Sequence, residues 1–286
     1  MTHEMGGDSP LKPEQSSRAT WVTKHFSNSA TYWHDVYSRQ DVKGQVYRYR
    51  QSVVVEWALS VADGEAAVAD VGTGAGHLAL ALAHHGLAVT AIDASETMID
   101  QVSSNATRAG LNHLVAAMLS DAHQIKVPSS TFDVVTAIGL LPWVEEPGLA
   151  LAEMARITKP GGHVIATMDN SMSLSRGLDP GWHSPVRRLK EKLRRGLVRR
   201  SSKRLPVPYP TAMTAKDFHR LLRTAGLKPI AYRGVGFGPF TFLSRAVVPN
   251  SLGLLIDQRL QGLANRNLPP FGSTAVFHVV LAMKPA

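Results

Sequence analysis

Ala69-Asp70-Val71-Gly72-Thr73-Gly74-Ala75-Gly76 follows apolar residues and leads into a helix-like run from His77 to His84. The order predicts a strand, a tight turn and a helix start. Glycines at 72, 74 and 76 permit positive φ and leave room for a ligand against the main chain, where a Cβ would collide. The spacing is G-x-G-x-G, so His77 stands where the dinucleotide pattern G-x-G-x-x-G has its third glycine. That departure counts against a nicotinamide cofactor.

Working outward, the next predicted strand, Leu87 to Ile92, ends at Asp93. A nucleoside lying across the carboxyl ends of two neighbouring parallel strands presents its ribose diol to that point, and a carboxylate makes strong hydrogen bonds there. After a helix from Ser95 to Ala109, the run Val115 to Leu119 ends in Ser120-Asp121-Ala122, and Phe132 to Gly139 reads as a strand buried on both faces. Leu140-Leu141-Pro142-Trp143-Val144 follows. A helix from Pro147 to Thr158 then stops at Lys159-Pro160-Gly161-Gly162, before a strand from His163 to Met168.

From about residue 64 to 170 this succession resembles the class I S-adenosylmethionine-dependent methyltransferases. The match is to the broad group that includes quinone methyltransferases and natural-product tailoring enzymes. The resemblance implies a Rossmann-like, doubly wound seven-stranded α/β sheet whose last strand is antiparallel. It assigns the cofactor to Asp70, Gly72, Thr73, Gly74, Gly76, Asp93, Ala94, Met98, Asp121, Ala122, Ile138 and Gly139, with the adenine at Asp121-Ala122. The N-terminal signature of the quinone enzymes is not evident, so that acceptor is not assigned.

The 286 residues are long enough for a sizeable core, and one α/β domain with insertions is the simplest organisation. Residues 1–20 read as a flexible tail, 21–60 as a helical cap, and 61–286 as the methyltransferase-like domain with a lid insertion at about 170–210. The absence of cysteine excludes disulfides and thiolate metal sites. No signal-peptide core or membrane-length apolar run appears, so the expected location is cytoplasmic.

The net charge of +9 has one source: Pro185 to Leu205 holds ten basic residues and one acid, so the rest of the chain is neutral. Val186, Leu189, Leu193 and Leu197 are spaced along one side of a helix within it. Three readings stay open: a solvated helix packed on the domain, a membrane-surface helix, or capture of an anionic acceptor. The stretch contains no aromatic residue, which counts against stacking recognition of nucleic acid.

Aromatic residues collect before the glycine turn instead, where Trp33 and Tyr37 are candidates for the acceptor wall and the remainder suit core packing. Trp143, Trp182, Phe237 and Phe240 are further wall candidates, the phenylalanines being equally suited to core. Arg48 or Arg50 is able to pair with the cofactor's carboxylate or to form a surface ion pair.

Methyl transfer from a sulfonium is an in-line displacement that depends on positioning. A base is needed only where the acceptor atom carries a proton. His34, His163 and His183 are the candidates, each with a structural role as the plainer alternative. No metal-ligand cluster is apparent, so the reading is metal-free. The expected acceptor is a small or amphiphilic metabolite. A nucleic-acid or protein methyltransferase and a non-catalytic cofactor-binding module are the alternatives. Against an amino-methylating DNA or protein enzyme stands Leu140-Leu141-Pro142-Trp143, where an Asn/Asp-Pro-Pro-aromatic motif is expected.

Overall fold

A computed structural model describes residues 22–23, 26–27, 35–182, 210–243 and 245–286. The tail at 1–20, Trp33, His34, His183 and the basic stretch 185–205 lie outside the described residues.

Short apolar runs buried on both faces become the central strands, and the longer segments between them become helices. The elements are α1 (Val42–Val61), β1 (Ala67–Val71), α2 (His77–Ala83), β2 (Ala88–Asp93), α3 (Glu96–Arg108), β3 (Val115–Leu119), β4 (Phe132–Ala137), α4 (Pro147–Ile157) and β5 (Thr158–Asn170). They continue with α5 (Leu174–Leu178), β6 (Ala212–Met213), α6 (Ala215–Thr224), β7 (Lys228–Val235), β8 (Thr241–Phe242), β9 (Arg245–Ala246), α7 (Asn250–Asn265), α8 (Phe271–Thr274) and β10 (Phe277–Met283).

The main sheet runs β3-β2-β1-β4-β5-β10-β7, with the short β6 added beside the end of β5. β10 is antiparallel to both neighbours, while β3 to β5 are parallel. The expected seven-stranded order with its antiparallel last strand is therefore present, plus one two-residue strand. The order reverses between β1 and β4, which opens a crevice at the carboxyl ends of these strands.

Alternation along the strands feeds two cores. In β10, Phe277, Val279 and Leu281 meet Val53, Val54 and Leu82 of α1 and α2. Val280 and Ala282 face Met154, Phe218 and Leu222 of α4 and α6. Truncating a fully buried residue such as Leu82 or Leu222 to alanine costs about 2–5 kcal/mol.

Local signals set the helix starts. Asp41 caps α1 by accepting from Gly44 N–H at 2.9 Å. Thr214 caps α6 by accepting from Asp217 N–H at 3.2 Å, as its spacing predicts. β5 is longer than the predicted strand because the Lys159-Pro160-Gly161-Gly162 segment already belongs to it. Lys159 Nζ bonds both Asp133 oxygens at 2.9 Å and fastens that end to β4.

Candidate cofactor and acceptor site

A cavity of about 640 Å³ opens at the carboxyl ends of β1, β2, β4 and β5. The glycine turn forms one wall. Gly72 has φ +69°, and a Cβ there would come within 2.7 Å of Leu140. Gly74 has φ +56°, and a Cβ there would enter open space, so this residue keeps the cradle clear. Gly76 behaves differently. It does not line the cavity; it caps α2 at φ +84°, with Val102 3.1 Å from where its Cβ would lie. Its part is backbone conformation and the close fit of α2 to α3, which corrects its assignment as a ligand contact.

The other residues assigned to the cofactor, Asp70, Gly72, Thr73, Gly74, Asp93, Ala94, Met98, Asp121, Ala122, Ile138 and Gly139, share the cavity wall. Asp93 accepts from Gly74 N–H at 2.9 Å and from Ser95 N–H at 3.0 Å. Burial pushes its carboxyl above the ordinary carboxylate range. The Ala94 amide adds a third donor to this carboxylate, whose two oxygens have about four lone-pair sites between them and so keep acceptor capacity for a diol. Asp70 accepts from Thr73 Oγ1 and Thr136 Oγ1 at 2.7 and 2.9 Å. Burial raises its pKa to about 6. Asp121 accepts from the His123 amide and approaches its Nδ1, at 2.8 and 2.9 Å.

α1 supplies two of the cavity's cations, Lys43 and Arg50. Arg48 is spent on the backbone carbonyls of Tyr37 and Arg39. Arg50, only 4% exposed, lines the cavity beside Gly139. Its guanidinium lies 4.5 Å from the Tyr47 ring centroid and 4.4 Å from that of Phe277. Its Nε has no hydrogen-bond partner among the described residues. A buried, stacked guanidinium with open donor capacity suits a carboxylate. Sequence spacing left Arg48 and Arg50 equivalent; only the helix phase separates them.

Asp169 and Arg176 also line the cavity and were not foreseen. Arg176 donates to Asp169 at 2.8 Å, while burial raises the Asp169 pKa. No sequence motif marks this pair. Tyr37 and Trp143 line the cavity as expected, with Phe26 edge-on to Trp143 at 5.1 Å. Phe237 is fully buried in a separate small core with Ala264 and Ala275, against which Phe240 packs. Neither phenylalanine reaches the cavity wall, so both are corrected from acceptor wall to core. Trp182 closes a short 3-10 turn begun at Pro180.

His163 pairs with Val134 and Met283 near the amino end of β5, away from the cavity. A base there would face the wrong edge of the sheet, so His163 is set aside as a catalytic candidate.

A methyltransferase-domain family matches residues 69–166, from the glycine strand into β5. The chain carries a class I S-adenosylmethionine-dependent methyltransferase domain. Over 98 residues it is 38% identical to a phosphatidylethanolamine N-methyltransferase of Cereibacter sphaeroides, spanning 34% of this chain and 48% of that one. Over 103 residues it is 35% identical to a ubiquinone biosynthesis O-methyltransferase of Coxiella burnetii, spanning 36% and 43%. The chain thus covers about half the length of these curated relatives or less.

Solved structures share the fold across most of both chains. A magnesium protoporphyrin IX methyltransferase of Synechocystis PCC 6803 with bound S-adenosylhomocysteine aligns at TM-score 0.62 and 16% identity, covering 94% of this chain and all of that one. The [4+2]-cyclase SpnF aligns at TM-score 0.62 and 20% identity, covering 93% and 95%. The residues of this cavity fit S-adenosylmethionine. They offer a cradle a Cβ would fill at Gly74, an acid for the ribose at Asp93, and an orphaned guanidinium atom at Arg50.

Proposed function

We propose that this protein transfers the methyl group of S-adenosylmethionine to an oxygen, nitrogen or carbon of a small or amphiphilic metabolite. The observation carrying this reading is one cavity that joins the glycine turn, the Asp93 carboxylate and the Arg50 guanidinium to an apolar chamber. When bound, S-adenosylmethionine supplies an electrophilic methyl on a sulfonium.

The chain's own residues position and dry the site. Asp93 holds the ribose hydroxyls, Asp121 and Ala122 meet the adenine, and Arg50 takes the carboxylate. Thr167 Oγ1 accepts from Gly139 N–H at 2.7 Å and so sets the backbone beside Arg50. Phe26, Tyr37, Trp143 and Pro239 line the chamber with apolar surface. Excluding water there favours a reaction in which the sulfonium loses its charge.

Those walls also favour a small or amphiphilic acceptor over a nucleic acid or protein side chain. Leu140 packs against Gly72 and Leu141 is fully buried where an amino-methylating enzyme has polar groups. The relatives named for lipid and quinone methylation point the same way. A second reading has one observation behind it: the fold also serves a cyclase, so cofactor binding does not by itself require methyl transfer.

Incubation with methyl-labelled S-adenosylmethionine and a cell extract, split into lipid, small-molecule, protein and nucleic-acid fractions, tests the proposal. Label is expected in the lipid or small-molecule fraction. Label confined to protein or nucleic acid would refute the acceptor class, and tight S-adenosylhomocysteine binding without turnover would support the non-transferring alternative.

A further inference from the structure

Near its carboxyl end β5 carries a charge on a face that is otherwise packed. Val164, Ala166 and Met168 belong to the core beneath α4 and α6, whereas Ile165 belongs to the core beneath α1 and α2. Asp169 falls on the Ile165 face. Its side chain is only 16% exposed and lines the cavity. The residues in register with it, Phe277 of β10 and Ala212 of β6, offer neither charge nor a side-chain donor. Two cations act on it. Arg176 of α5 donates to Oδ2 at 2.8 Å, and the charge of Arg50 on α1 reaches it through space. Among the described residues no group donates to Oδ1. A largely buried carboxylate oxygen left without a donor is costly, and a ligand's donor would remove that cost.

Among the described residues five acids line the cavity, and Asp169 is the one placed for the acceptor. Asp70 and Asp93 lie in β1 and at the end of β2, and Asp121 lies just past β3, all with the residues expected to meet the cofactor. Glu145 is exposed. Asp169 instead lies two residues past Thr167, whose Oγ1 accepts from Gly139 N–H at 2.7 Å. It shares its part of the wall with Ser175, Arg176, Pro239 and Thr241. Thr241 is occupied, since its Oγ1 donates to Asp179 at 2.6 Å.

We infer that Asp169 is the general base of the methyl transfer, receiving a proton from a hydroxyl or amine of the acceptor, with Arg176 positioning its carboxylate. The inference rests on the methyl-transfer reading above and narrows it to an acceptor whose methylated atom carries a proton. The O–H or N–H bond breaks and its proton passes to Oδ1. The released pair forms the bond to the methyl carbon, while the carbon–sulfur bond breaks and leaves its pair on sulfur. Burial raises the Asp169 carboxyl above the ordinary range against the pull of both arginines. That moves a carboxylate toward the pH at which a base works best.

Asp169→Asn keeps an oxygen for Arg176 but cannot take the proton. It is tested with methyl-labelled S-adenosylmethionine and the lipid and small-molecule fractions of a cell extract. Transfer should fall about 100-fold or more, the share a general base supplies. The residual rate should climb with pH, about tenfold per unit, because only acceptor already ionised reacts. Asp169→Glu should regain part of the rate and the wild-type pH profile. Calorimetry should find S-adenosylhomocysteine affinity of Asp169→Asn within about threefold of wild type. Near wild-type transfer by Asp169→Asn, or a lower rate with an unchanged pH profile, would overturn the inference and leave the methyl-transfer reading standing. A loss of S-adenosylhomocysteine affinity of about tenfold would give Asp169 to the cofactor and overturn it as well. No transfer by wild-type protein into any fraction would remove the methyl-transfer reading itself, and this inference with it.

Discussion

The Asp93 carboxylate accepts the Gly74 amide at 2.9 Å, so the acid ending the second strand holds the glycine turn that follows the first. The group expected to hold the ribose also fixes the shape of the cradle. Asp93→Ala should therefore weaken S-adenosylhomocysteine binding by about 30- to 150-fold, the effect of losing about 2–3 kcal/mol of charged hydrogen bonding. Calorimetry on the folded variant checks this, and unchanged affinity would remove Asp93 from the site.

Arg50 is expected to recognise one end of the cofactor only. Arg50→Met should lower affinity for S-adenosylhomocysteine by at least about tenfold, the scale of a charge-assisted bond. Affinity for methylthioadenosine, which lacks the carboxylate, should change little. Equal losses for both ligands would show that Arg50 supports the fold around Tyr47 and Phe277 instead.

Two buried groups should pull stability in opposite directions with pH. Asp70, raised from 3.8 to about 6, holds its proton more tightly when folded, so its contribution falls as pH climbs from about 4 to 6. His278, lowered by burial from 6.5 to about 4, takes up its proton more readily when unfolded, so its contribution grows as pH climbs through the same range. Each effect amounts to about 3 kcal/mol at most. Relative to wild type, Asp70→Asn should gain stability with rising pH across this window, and His278→Gln should lose it. Urea unfolding from about pH 4 to 7 gives the two difference curves, and a flat curve would remove that residue from the account.

Gly76 and His163 test which sequence assignments belong to the ligand. Gly76→Ala should lower stability by about 1–2 kcal/mol through its left-handed backbone, with S-adenosylhomocysteine affinity nearly unchanged. His163→Ala should leave both affinity and turnover near wild type. A large drop in kcat for His163→Ala would return that residue to the mechanism.

Legibility followed the range of the interactions. The glycine turn and the strand ending at Asp93 could be read from local backbone needs and from strand and helix periods, whereas Asp121 and the seven-stranded sheet with its antiparallel last strand came from the resemblance to methyltransferases. Arg50 was legible only as one of two arginines, because the choice depends on how α1 is rotated against the sheet. Asp169 and Arg176 were missed because they are seven residues apart and meet through a turn after β5. Phe237 and Phe240 look identical in sequence whether they line a chamber or fill a small core. Asp257, by accepting the Phe237 and Gly238 amides, decides for the core.

Helix α1 is pinned to α7. Gln45 Nε2 donates to Asp257 Oδ2 at 2.9 Å, and Asn265 Nδ2 donates to Tyr49 Oη at 2.8 Å. Arg50 lies on the same helix as Gln45 and Tyr49, outside the segment that the methyltransferase family matches. A ligand gripped at one end by Asp93 and at the other by Arg50 would therefore span two blocks of the chain, tightening α1 and α7 along with the nucleotide half. Amide exchange in α7 should slow on saturation with S-adenosylhomocysteine, far from any atom the ligand touches.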